Sequence, residues 1–114
     1  MQYLMLIRYG DEYRERLERA SEAEIDAVVA EYAAVMEAEG TRGGAQLQPP
    51  ETATSVRVDG QGGVLSGPLT EGDEALGGFY LFETDDPAAA REVAARIPAA
   101  RLGGTIEVRP LVER

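Results

Sequence analysis

Two short segments carry apolar side chains at both parities of an extended chain, and this limits the fold more than any other feature. Tyr3–Tyr9 reads Tyr-Leu-Met-Leu-Ile-Arg-Tyr, and Phe79–Phe82 reads Phe-Tyr-Leu-Phe. Both runs are too short for helices and read as strands covered on both faces. The chain's helices must therefore hide one face of a sheet, and something else must hide the other.

Two helices are legible. Ser21-Glu22-Ala23-Glu24 matches a capping box, in which the Ser21 hydroxyl accepts the Glu24 amide and Glu24 reaches back. From there Ile25, Val28, Val29, Tyr32 and Met36 recur at offsets 0, 3, 4, 7 and 11, the stripe of an amphipathic helix. Gly40 supplies its stop. The second helix opens at Asp86-Pro87, an N-cap followed by proline at the first helical position. Its stripe is Ala90, Val93, Ala94 and Ile97, and Pro98 ends it.

Between the helices, Thr41–Glu51 holds two glycines and Pro49-Pro50, which predicts an interrupted or edge strand running into a loop. Thr54–Asp59 alternates, Gly60-Gln61-Gly62-Gly63 turns, and Gly63–Ser66 returns, a hairpin pattern. Thr105–Leu111 is the last strand, with Ile106 and Val108 on one face and Thr105, Glu107 and Arg109 on the other.

The expected fold class is α+β: a ferredoxin-like βαββαβ antiparallel sheet with an inserted β-hairpin, placed before the fourth core strand. Two helices cover only one face of such a sheet. The second face carries Leu4, Leu6, Phe79 and Leu81 or their opposites, and a homodimer packing sheet on sheet would cover it. Burying five such side chains contributes on the order of 10 kcal/mol. At 114 residues the chain is expected to form one domain, 1–114.

Charge and composition narrow the chemistry. There are 21 acids against 11 arginines, a net charge of −10, so the field repels nucleic acid and anionic lipid. Neither a signal segment nor a membrane span is apparent, and a cytoplasmic location is expected. Histidine, lysine, cysteine and tryptophan are absent, which removes histidine triads, thiolate or imidazole metal sites and Schiff-base lysines. No cofactor is expected.

Four segments together carry a family signature. Gln48-Pro49-Pro50-Glu51-Thr52-Ala53-Thr54-Ser55-Val56-Arg57 resembles the Q-P-P-x-T-A-T-x-V-R segment of the YCII-related, or DGPF-domain, family. Ser66-Gly67-Pro68-Leu69-Thr70-Glu71 through Phe79-Tyr80 resembles its naming motif, D-G-P-F-x-E-x-K-E-x-L-G-G-F/Y. Ala95–Arg101 and Thr105–Pro110 resemble its closing A-R-I-P-A-A-R and V-E-V-R-P pieces. The resemblance implies a dimeric α+β barrel, whose fold relatives bind small organic molecules, some as enzymes. It also suggests a signalling accessory role beside extracytoplasmic-function sigma factors. Ser66, Leu69 and Asp73 depart from the naming motif, and the histidine–aspartate pair suspected of catalysis in the YCII branch cannot form here.

Candidate site residues follow. Glu107 and Arg109 share one face of the last strand, where they pair with each other or leave the guanidinium for an anion. Arg57 joins them if its strand is adjacent, and Arg8 has the parity of Leu4 and Leu6. Glu71, at the motif glutamate on the Gly67–Glu74 loop, is a candidate general base, as is Glu107. Pro68 in the same loop and Tyr9 at a strand end are candidate ligand contacts. The leading expectation is a small-molecule-binding protein, with proton-transfer chemistry of lyase or isomerase type on an oxygenated organic acid or aromatic. The alternatives are an accessory partner of a sigma factor, using the acidic helix face, and a scaffold whose site has decayed.

Overall fold

A computed structural model describes residues 1–68 and 74–113 of the chain. Strand β1 (Gln2–Tyr9) leads through Gly10 into helix α1 (Asp11–Arg19) and then α2 (Glu22–Glu37). Strand β2 (Thr41–Gln46) and a single 3₁₀ turn (Pro50–Thr52) precede the hairpin strands β3 (Thr54–Val58) and β4 (Val64–Pro68). Then come β5 (Ala75–Glu83), α3 (Pro87–Ala95), the one-turn α4 (Pro98–Arg101) and β6 (Thr105–Pro110). Strands β2, β5, β1 and β6 lie side by side in that order, every pair antiparallel. The protein is thus α+β, with helices on a four-stranded sheet.

Parity assigns the two faces as the alternation requires. Tyr3, Met5 and Ile7 of β1 and Tyr80 and Phe82 of β5 are buried in one cluster, to which all four helices contribute. Val35, Val93 and Ala99 are among the helical members, and Ile97 joins them from the junction of α3 and α4. Leu4, Leu6, Phe79 and Leu81 point the other way and are half-exposed. The molecule is only 19 Å in its thinnest direction, room for one helical layer on one sheet.

The caps read from the sequence are in place. Ser21 Oγ accepts the Glu24 amide at 3.1 Å, and Glu24 Oε1 returns to the Ser21 amide at 3.5 Å. Asp86 Oδ1 accepts the Ala88 amide at 3.0 Å. Gly40 has φ +99°, and a Cβ there would meet Glu83 O and the Phe82 ring at 2.8 Å. The turn out of α2 therefore requires glycine at that position.

Four expectations need correction. Asp11–Arg19 is a helix of its own, ahead of the first helix expected at Ser21. Its first-turn acids and last-turn arginines suit the helix dipole, and Glu12 pairs with Arg16 at 2.8 Å. The stripe of α2 is rotated from the expected one: Val28 and Val35 are buried, while Val29 and Met36 stand out. Pro98 does not simply end a helix, because it opens α4 at the first helical position. The helical face accordingly carries four segments rather than two.

The fourth correction concerns the hairpin. Thr41–Gln46 is itself an edge strand of the sheet, so the hairpin is inserted before the third strand of that sheet, not the fourth. Among the described residues, β3 and β4 pair with each other and with no other strand. Asp59 fixes the turn by accepting the Gln61 and Gly63 amides at 2.9 and 2.7 Å. Val56, Val58 and Val64 lie exposed along one side of it. This projection gives a radius of gyration of 16.3 Å, against about 13 Å for a compact chain of this length. Among the described residues, no helix is long and apolar enough to cross a membrane.

Candidate functional site

A cleft of about 620 Å³ lies between α1 and α2 above and the ends of β1, β2 and β5 below. Its floor comes from an irregularity in the sheet. The β1–β5 register slips between Ile7 and Arg8, where Gly77 is passed over. A Cβ on Gly77 would stand 2.7 Å from the Tyr9 ring, and one on Gly78 2.7 Å from Ala45 O. The glycine pair thus lets Tyr9 lie flat on the strand and draws β2 close.

Tyrosines build the inner wall. The Tyr13 and Tyr32 hydroxyls lie 2.7 Å apart, and Tyr80 donates to the Tyr32 carbonyl at 2.8 Å. Burial raises the Tyr32 hydroxyl well above the ordinary phenol range, and the hydrogen bond to Tyr13 adds to it. Burial also raises Tyr80. These hydroxyls remain protonated donors rather than bases. The Tyr9 and Tyr13 rings meet at 5.7 Å and 58°. Arg14 lies with its guanidinium carbon 5.4 Å from the Tyr9 centroid, within cation–π range. Val29 and Met36, displaced from the core by the rotation of α2, line the outer wall.

The raised phenols link the cleft to stability. Folded Tyr32 keeps its proton at a pH where the unfolded chain has lost it. The contribution is therefore full below the ordinary value of 10.0 and declines as pH rises above it. Urea unfolding from pH 8 to 11 is expected to show stability falling above pH 10, with a shallower fall in Tyr32→Phe. An identical slope in both proteins would remove Tyr32 as the cause.

Of the residues singled out from the sequence, Tyr9 lines the cleft. Arg8, Glu107 and Arg109 are brought together elsewhere, on the half-open face of the sheet. Arg8 Nε is 3.7 Å from Glu107 Oε1, and the other Glu107 oxygen pairs with Arg109. The pairing joins β1 to β6, where Leu6 opposes Glu107 and Leu4 opposes Arg109. Nearby, Thr105 donates to Glu74 at 3.2 Å. Arg57 does not join them, because β3 is outside the four-stranded sheet. Pro68 ends β4 opposite Thr54, and Glu71 lies outside the described residues. On the acidic face of α2, Glu31 is engaged by Arg101 at 2.7 Å.

Tyr13, Arg14 and Gln46 are cleft residues that the sequence reading missed. Tyr13 and Leu17, four apart just after Tyr9, were the available signal of a helix turning an aromatic onto that strand. In comparisons with known proteins, the model of the YCII-related domain matches residues 1–114, the whole chain. No curated protein matches it.

Proposed function

The chain belongs to the YCII-related domain family, and on that premise we propose that it binds a small, largely apolar organic molecule as a homodimer. The cleft carries the proposal. At about 620 Å³ it falls within the size range of small-molecule sites, and it joins apolar walls to a few fixed polar groups in the usual way. The ligand lies against Tyr9, Val29 and Met36, with the hydrogen-bonded Tyr13–Tyr32 hydroxyl pair behind it.

The dimeric arrangement rests on surface. The chain exposes 7777 Å², about 1,700 Å² more than the roughly 6,100 Å² of a compact protein of its mass. The exposed hairpin accounts for part of that excess, and the sheet face with half-exposed Leu4, Leu6, Phe79 and Leu81 is the part a partner would cover. A standard interface takes about 800 Å² from each partner, and obligate dimers take more. The sheet order β2-β5-β1-β6 supports reading the chain as a ferredoxin-like domain, and two such sheets paired through Leu4, Leu6, Phe79 and Leu81 would form an α+β barrel. Arg8, Glu107 and Arg109 then lie within the barrel, where their mutual pairing fixes register. With Glu107 held between two guanidinium groups and burial keeping the Tyr32 and Tyr80 hydroxyls protonated, the geometry favours binding over base catalysis.

Native mass spectrometry of gently purified protein tests the reading. The expected result is a dimer carrying an additional mass of a few hundred daltons, lost when Ala33 in the cleft wall is replaced by tryptophan. Extra mass that persists in Ala33→Trp would place the ligand elsewhere and overturn the assignment.

A further inference from the structure

Within the site just proposed, and resting on that reading, we infer that the ligand is a hydrophobic monoanion whose charged group is held by Arg14. Among the described residues, Arg14 is the one cation lining the cleft. Its recorded ion pair is to Asp11 at 3.4 Å, an acid that is 88% exposed. A solvated neighbour at that distance holds a guanidinium weakly. Arg14 is itself half-exposed and stays over the Tyr9 ring, so its fork is positioned without being spent. A carboxylate or sulfonate arriving beside Tyr9 can take two of its N–H donors at once.

The other charged group on the cleft orients the ligand. Glu37 ends α2 on the side where β2 begins, and β2 begins opposite Phe82. Arg14 sits by Tyr9, where β1 ends opposite Ala75. An anion is thus favoured at the Arg14 end and opposed at the Glu37 end, with the apolar body between them on Val29 and Met36. The net charge of −10 sets the limit on ligand charge. A polyanion such as a nucleotide meets a repulsive field that one arginine does not offset, whereas a single charge on a large apolar body gains more from burial than it loses.

Two probes differing in one group separate this inference from the reading beneath it. 1-Anilinonaphthalene-8-sulfonate carries the anion, and N-phenyl-1-naphthylamine is its uncharged parent. By fluorescence titration, Arg14→Gln is expected to weaken the sulfonate about tenfold, the loss typical of one charge-assisted contact, and to leave the parent unchanged. Arg14→Lys should recover part of the loss. Ala33→Trp should exclude both probes. Equal effects of Arg14→Gln on the two probes, or no effect on either, would overturn the anion anchor while leaving the cleft intact. Undiminished binding of both to Ala33→Trp would overturn the cleft itself.

Discussion

Light scattering behind a sizing column is expected to find a dimer for the unaltered chain at micromolar concentration and a monomer for Leu81→Asp. Leu81 stands on the half-open face, with Leu4 opposite it on β1 and Gly43 opposite on β2. Neither neighbour can neutralise a new carboxylate. In the barrel each copy would bury that charge against apolar side chains, a cost of several kcal/mol per subunit. The dissociation constant should rise by at least about a thousandfold, which corresponds to about 4 kcal/mol. Leu81 lies outside the buried cluster of the subunit, so far-ultraviolet circular dichroism should stay close to that of the unaltered chain. A monomeric unaltered chain would remove the barrel, and a dimeric Leu81→Asp would move the interface off the sheet.

The second large effect lies in the core. Ile97→Ala is expected to cost about 3 kcal/mol and to lower the melting temperature by roughly 10–20 °C. Ile97 is 0% exposed and is held between α3 and α4 against the buried face of the sheet. Its neighbours Val93 and Ala99 are fixed by helices anchored at Pro87 and Pro98, so the cavity cannot easily collapse. Val29→Ala is the matching control. Both residues belong to apolar stripes in the sequence, but Val29 is 62% exposed and its truncation should stay within about 0.5 kcal/mol. Differential scanning calorimetry of the two variants reads the difference directly. Similar losses for both would mean that the cleft wall is packed in solution, with a second copy or a ligand over Val29.

The stripes show where local pattern stops being informative. Val28, Val29, Tyr32 and Met36 all satisfy a helical period, yet only Val28 of these is buried. A period identifies a helix and an apolar arc about a hundred degrees wide; it does not say which edge of the arc meets the sheet. The rotation of α2 is set by Tyr80, whose hydroxyl holds the Tyr32 carbonyl from 48 residues away. Helix α1 was concealed for a related reason. In Asp11–Arg19 only Tyr13 and Leu17 are large and apolar, so its pattern is that of a solvated run, and it is the strand beside it that gives those two side chains something to cover. Helix α1 and the outward-turned edge of α2 form one side of the cleft.

The candidate charged residues divide along the same line. Glu107 and Arg109 on one strand face, with Arg8 at matching parity, could be read from alternation alone, because a strand has only two sides. That Arg57 is not beside them could not be read, since parity says nothing about which strands are neighbours.

The sequence by itself determined the elements that depend on nearest neighbours along the chain. These are the capping box at Ser21, the cap at Asp86, the glycine turn at Gly40, the hairpin turn at Gly60–Gly63, and the two-faced strands that leave half the sheet to be covered. Tertiary structure alone decided which valine on α2 is buried, that the hairpin stands clear of the sheet, and that Tyr9, Tyr13, Arg14 and Tyr32 share one cleft. The physical reason is range. Caps and turns are closed by hydrogen bonds between residues a few positions apart, so their energies are written into short stretches of sequence. A cleft is bounded by packing between distant segments, and each wall is placed by the whole set of contacts opposing it.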